Sequence, residues 1–124
     1  MKIIAAVIFA LVLSGMLNHA VAAEKLQHVV CFKFKDTATP QDIQKVEKAF
    51  AALKGKIPQV AGLEWGTNVS KENKDKGFTH CFIVTFKSEA DRDTYIEAPA
   101  HKEFVKLVGP AVADVFVIDF WPKN

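Results

Sequence analysis

The predicted strand at residues 78–87 limits the possible folds most strongly, because both of its faces are apolar. Side chains along it alternate in direction. One face carries His80, Phe82, Val84 and Phe86, and the other carries Cys81, Ile83 and Thr85. A strand that is apolar on both faces has to be covered on both. The chain therefore needs a layer on each side of its sheet.

Three further strands are predicted from short β-rich stretches. They lie at residues 28–35, 62–69 and 115–121. The first places His28, Val30, Phe32 and Phe34 on one face.

Two helical regions have clear start signals. Thr39 precedes a proline and is followed three residues later by Asp42, which is typical of a capping box, and Gly55 is expected to end this helix. Ser88 is expected to cap the second helical region, which Pro99 interrupts.

The resulting order β-α-β-β-α-β predicts an α+β fold of the ferredoxin-like type, an antiparallel sheet with helices on one face. The helices leave the other face uncovered. Its apolar members are Val29, Cys31, Ile83, Phe116 and Ile118. A second copy of the chain could cover them, so we expect a homodimer through the open sheet face.

Residues 1–23 have the layout of a secretory signal peptide: Lys2, an apolar run over residues 3–17, and small residues before Glu24. A retained membrane anchor is the alternative. Cleavage would leave residues 24–124 as one domain, exported to the periplasm or secreted, with no further membrane association.

Charge and cysteine content exclude several classes of function. The chain has 16 basic and 14 acidic residues and no basic patch, which argues against nucleic acid as a partner. Cys31 and Cys81 are far apart in sequence and form no CxxC motif, so neither a metal site nor a thioredoxin-like site is indicated. Free thiols are favoured, and a cross-strand disulfide is the alternative.

Candidate site residues share the helix-covered face. Strand alternation places His28 and His80 on the same face of the sheet, while Tyr95 and His101 lie on either side of Pro99. We expect these polar groups to converge on an apolar pocket. The expected ligand-binding residues are His28, His80, Phe32, Phe50, Phe82, Ile96 and Phe104. Taken singly, each histidine could instead be a cap or a satisfied core residue.

Four segments carry a resemblance to a known family: HVVCFKFK, WGTNVS, GFTHCFIVTF and YIEAPAHKEFV. Together they resemble the stress-responsive dimeric α/β-barrel (Dabb) proteins over residues 24–124. The resemblance implies a dimer whose two sheets face each other. By similarity to a polyketide cyclase of the family, it also implies His101 as a catalytic base and Tyr95 as its assistant, with no metal or organic cofactor.

Three functions remain open at this point. The first is an exported stress-responsive barrel protein that binds a small apolar or aromatic ligand. The second is an enzyme of the polyketide cyclase or lyase type that uses the His101 and Tyr95 pair. The third is a haem-binding or cofactor-free monooxygenase-like barrel. A purely structural dimer module is the simplest alternative.

Overall fold

Four strands form one antiparallel sheet in the order β2-β3-β1-β4, with three helices on one side. The computed structural model describes residues 24–124, so the predicted signal peptide lies outside the described residues. The elements are β1 (Leu26–Phe34), α1 (Pro40–Lys56), β2 (Gly62–Thr67), β3 (His80–Phe86), α2 (Glu89–Glu97), α3 (Pro99–Val108) and β4 (Val112–Phe120). The predicted ferredoxin-like fold is confirmed. No helix within residues 24–124 has the length and apolar character needed to cross a membrane.

The start of α1 shows why the chain becomes helical there. The Thr39 hydroxyl accepts a hydrogen bond from the Asp42 backbone N–H at 3.1 Å, and the Asp42 carboxylate accepts one from the Thr39 backbone N–H at 2.9 Å. This is the predicted capping box. The expected end at Gly55 is wrong, because the helix continues to Lys56 and the Ile57 N–H donates to the Leu53 carbonyl.

Pro99 separates α2 from α3, as predicted. Proline has no N–H and disfavours a helical conformation in the residue before it. Ala98 is accordingly extended, with φ −61° and ψ 137°, and its N–H donates to the Tyr95 carbonyl. The His101 N–H donates to the Ala98 carbonyl at 3.0 Å. The end of α2 and the start of α3 are therefore held side by side.

The core lies between the sheet and the helices. Its centre is a parallel stack of Phe50 from α1 on Phe82 from β3, with ring centroids 4.0 Å apart and planes 3° apart. Phe82 is 0% exposed. The alternation predicted for β1 and β3 is confirmed, because the side chains of the His28 and His80 face are buried and those of the other face are not.

The other face of the sheet is uncovered in the single chain. Phe116 and Ile118 of β4 are 52% and 50% exposed, and Phe120 is also exposed. Cys31 and Ile83 beside them are half-buried. The described residues thus leave an apolar sheet face that no helix reaches.

Candidate ligand-binding site

A cavity of about 410 Å³ lies on the helix side of the sheet, and its wall includes residues of α2, α3, β1 and β4. The wall is almost entirely apolar. It is formed by His28, Val30, Phe32, Phe50, Tyr95, Ile96, His101, Phe104, Val105, Val108, Gly109, Val112, Val115 and Val117.

Most of the predicted site residues line this one cavity. The residues brought together are His28, Phe32, Phe50, Tyr95, Ile96, His101 and Phe104. Phe82 does not line the cavity. The Phe50 ring stacks on the Phe82 ring, and Phe82 is fully buried in the core.

His80 does not join the cavity either, and its expected placement there is wrong. Its Nε2 lies 2.9 Å from a Glu47 carboxylate oxygen and its Nδ1 lies 2.8 Å from the Thr79 hydroxyl. The ring stacks on Trp65 at 6.1 Å and meets the edge of Phe34 at 4.9 Å. Both nitrogens have partners and the residue is 7% exposed, so His80 is a satisfied core group that joins β3 to α1.

His28 enters the cavity with one nitrogen already engaged. Its Nδ1 lies 2.6 Å from Asp119 Oδ1, across the β1–β4 pairing that sets the two residues opposite each other. Arg92 Nη1 donates to the other Asp119 oxygen at 3.2 Å. Since Nδ1–H donates to the carboxylate, the free position of the ring is Nε2.

Sequence reasoning missed Asp119 and Arg92. The available signal was a charged residue inside the otherwise apolar segment VFVIDFW. A carboxylate on the covered side of a strand requires a partner, and here the partners are His28 and Arg92.

His101 is fixed in the same way by the end of α2. Its Nδ1–H donates to the Ile96 carbonyl at 3.0 Å, which leaves Nε2 free. Burial lowers the pKa of His101 below its ordinary value, and a charge on nearby His28 would lower it further. At neutral pH the ring is therefore an uncharged imidazole with an available lone pair.

Tyr95 places a hydroxyl in the same space. The residue is 1% exposed, and its ring lies 4.6 Å from that of His101 and 5.9 Å from that of His28. The hydroxyl forms no hydrogen bond within residues 24–124. Every fully buried side-chain nitrogen or oxygen in that part of the chain has a hydrogen-bond partner, so the hydroxyl is not fully buried. It therefore opens onto the cavity. Burial raises the pKa of Tyr95, so the hydroxyl stays protonated and can donate.

Three polar atoms without a protein partner in the described part of the chain thus line one apolar cavity. They are His28 Nε2, His101 Nε2 and the Tyr95 hydroxyl. Together they offer one donor and two acceptors to a bound molecule, and His101 Nε2 can also accept a proton. No group of three or more His, Cys, Asp or Glu side chains within residues 24–124 is placed to hold a metal ion.

The sequence is similar to one characterised family over nearly the whole described region. Residues 26–122 match the family profile described as Stress responsive A/B Barrel Domain. The stress-response A/B barrel domain-containing protein HS1 of Arabidopsis thaliana is 37% identical over 99 residues, covering 80% of this chain and 91% of that protein. Olivetolic acid cyclase of Cannabis sativa is 31% identical over 99 residues, covering 80% of this chain and 98% of the cyclase.

Solved structures show the same fold. The hydroxynitrile lyase of Passiflora edulis superposes with a TM-score of 0.77 at 26% identity, covering 82% of this chain and 96% of the lyase. A dimeric ferredoxin-like protein of Thermobifida fusca superposes with a TM-score of 0.69 at 20% identity, covering 82% of this chain and 93% of that one.

We expect His101 to make the protein less stable as the pH falls. Because burial lowers its pKa in the folded chain, the unfolded chain binds the proton more readily, and stability is lost as pH falls through the unfolded value of about 6.5. His101→Asn removes the titration and keeps a donor for the Ile96 carbonyl. Urea unfolding at about pH 7.5 and about pH 5.5 should show a smaller loss in the variant than in the wild type. An equal or larger loss in the variant would contradict this assignment.

Proposed function

The chain belongs to the stress-responsive A/B barrel domain family, and from that premise we propose that it binds a small apolar or aromatic molecule that carries a carbonyl or hydroxyl group. The site is the cavity between the sheet and helices α2 and α3. The observation that carries the proposal is a set of three polar atoms in an otherwise apolar space, the Nε2 atoms of His28 and His101 and the Tyr95 hydroxyl, none of which has a partner among residues 24–124.

The apolar wall sets the class of ligand. A volume of about 410 Å³ falls within the usual range for small-molecule pockets. The rings of Phe32, Phe50 and Phe104 favour an aromatic or aliphatic body, since transfer of apolar surface from water contributes roughly 25 cal/mol per Å².

The polar atoms set the orientation of the ligand. An oxygen of the ligand can accept a hydrogen bond from the Tyr95 hydroxyl, while a ligand hydroxyl can donate one to either of the two imidazole nitrogens. A ligand without such a group would bury these atoms without partners, which costs about 1 to 3 kcal/mol each. The cavity therefore favours an oxygenated ligand over a pure hydrocarbon.

Acid–base catalysis of the cyclase or lyase type is a second candidate. It is favoured by the neutral His101 ring, whose Nδ1–H is anchored on Ile96 while Nε2 faces the cavity next to the Tyr95 donor. His101 Nε2 would take a proton from the carbon next to a carbonyl, and the Tyr95 hydroxyl would hydrogen-bond to the developing enolate oxygen. A positioned base of this kind contributes roughly 10²- to 10⁴-fold to the rate. Two relatives are named as a cyclase and a lyase.

The biological unit we propose is a homodimer formed through the open sheet face. Phe116, Ile118 and Phe120 leave an exposed apolar surface on β4, and an isologous contact between two such sheets would cover both copies at once. Structural neighbours with the same fold are described as dimeric.

We also propose that the protein is exported after cleavage of a signal peptide. The leader-like composition of residues 1–23 supports it. Sequencing of the N-terminus of protein recovered outside the cytoplasm should find Ala23 or Glu24 first, and an intact Met1 in that fraction would contradict cleavage.

The first prediction concerns binding. A thermal-shift screen with aromatic acids, polyketide-like lactones, fatty acids and haem should show stabilisation by at least one class of small ligand. Tyr95→Phe should weaken binding of that ligand about 10-fold by removing one hydrogen bond. It should not lower the melting temperature of the free protein, because the hydroxyl has no partner in the part of the chain that the structure describes.

Thr67→Val is the control, since it removes an exposed hydroxyl of β2 away from the cavity. The affinity should stay at the wild-type value. Equal binding by wild type and Tyr95→Phe would contradict the site, and stabilisation by haem alone, with a Soret band, would favour the haem-binding alternative.

The second prediction separates catalysis from binding. Ligands that bind and carry a carbonyl are incubated with the protein in D₂O, and exchange of the proton next to the carbonyl is followed by NMR. The catalytic candidate predicts exchange that falls at least about 100-fold in His101→Asn. Binding without any exchange, or exchange unchanged in His101→Asn, would leave a binding protein only.

The third prediction concerns assembly. Sedimentation at micromolar protein should give a dimer for the wild type and a monomer for Phe116→Asp, because the variant places a charge on the apolar face. Val69→Asp, at a side chain that is 88% exposed in the β2–β3 connection, should remain dimeric. A monomeric wild type would overturn the proposed interface.

A further inference from the structure

We propose that Cys31 and Cys81 are a redox pair that forms an intramolecular cross-strand disulfide by exchange with a small organic disulfide. The two residues lie directly opposite each other in the β1–β3 pairing, on the open face of the sheet. Both are free thiols in the structure and both are half-buried. The pair lies on the opposite side of the sheet from the ligand cavity, so the inference does not depend on the proposed function.

The hydrogen-bond pattern decides how close the two cysteines come. Directly opposed residues in an antiparallel ladder alternate between hydrogen-bonded and non-hydrogen-bonded pairs. The Ala61 N–H donates to the Thr85 carbonyl at 2.9 Å, so the peptide groups of Thr85 point towards the β2 side, and those of every second residue back along β3, including Cys81, do the same. The peptide groups of Cys81 therefore point towards β2 and away from β1.

The hydrogen bonds of β1 show independently that the peptide groups of Cys31 point away from β3. The Lys35 N–H donates to the Ala111 carbonyl at 2.9 Å. Alternation along β1 then directs the peptide groups of Cys31 towards Phe116 of β4, its partner in that pairing. Cys31 and Cys81 are consequently a non-hydrogen-bonded pair.

This class of pair brings side chains closest together. The Cα atoms of such residues lie about 4.5 Å apart, within the range of roughly 4.4 to 6.8 Å seen in disulfides. The strand spacing of such a pair is therefore compatible with a disulfide.

The open sheet face gives a small oxidant access to the pair. A shallow depression of about 670 Å³ includes both cysteines and Gly66. Gly66 lies beside Cys81 in β2 and has open space where a side chain would be. In the proposed dimer the second sheet would cover this depression, so exchange takes place on the separate chain.

The reaction balances with a disulfide as the oxidant. One cysteine thiolate attacks a sulfur of the small disulfide and releases one thiol, and the second cysteine then attacks the mixed disulfide and releases the other. The products are one Cys31–Cys81 bond and two small thiols, which receive the two electrons and two protons. Burial and the neighbouring Cys81 raise the pKa of the Cys31 thiol to about 11, so the step is slow once the chain has folded.

The test treats the protein with glutathione disulfide, both folded and during refolding from urea, and alkylates the remaining thiols before digestion with trypsin. The expected product after refolding is a disulfide-linked pair of peptides, residues 26–33 and 77–87, each of which contains one cysteine. Reduction of the oxidised protein should lower its melting temperature by about 10 °C, because the bond restricts the unfolded chain.

Cys31→Ser and Cys81→Ser are the matched controls. Neither should form the linked peptides, and neither should change its melting temperature on reduction. Two alkylated thiols in wild type after oxidative refolding, glutathione attached to both cysteines, or a link between two chains would each overturn the proposal.

Discussion

The break at Pro99 is the constraint on which the candidate site depends. Because proline has no N–H and forces Ala98 out of the helical region, α2 ends and α3 begins within one residue. The Ile96 carbonyl, left free at the end of α2, is then within reach of His101 in the first turn of α3. An uninterrupted helix would instead use that carbonyl within its own hydrogen-bond ladder. The same break sets the Tyr95 ring against the His101 ring in the wall of an apolar cavity.

The two faces of the sheet have separate roles. The covered face carries the core stack of Phe50 on Phe82 and, beside it, a cavity lined by three polar atoms that have no partner within residues 24–124. The open face carries an apolar surface and the paired cysteines. A sheet of this kind is stable in water only if something covers its second face. The proposed homodimer meets that need, and it encloses Cys31 and Cys81 at the same time.

Local signals in the sequence predicted most of the fold. The capping box at Thr39, the proline break and the strand alternation depend on residues close together in the chain, and the structure confirms each. The alternation of side chains along the strands correctly placed His28 and His80 on the same face of the sheet. It does not show which helix covers each position, so the contact of His80 with Glu47 could not be predicted. The pairing of His28 with Asp119 depends on the register of two strands distant in sequence. The leader at residues 1–23 lies outside the described residues.

NMR of the histidine side chains tests the central claim most directly, namely that His28 and His101 present free nitrogens to one ligand cavity while His80 does not. Long-range ¹H–¹⁵N spectra would be recorded as the protein is titrated in turn with benzoic acid, decanoic acid and a pyrone lactone. The account predicts that at least one of these moves the Nε2 signals of both His28 and His101 and leaves the His80 signals in place, since Glu47 and Thr79 already occupy both of its nitrogens. Unmoved His28 and His101 signals with all three compounds, or movement of His80 together with them, would contradict the account.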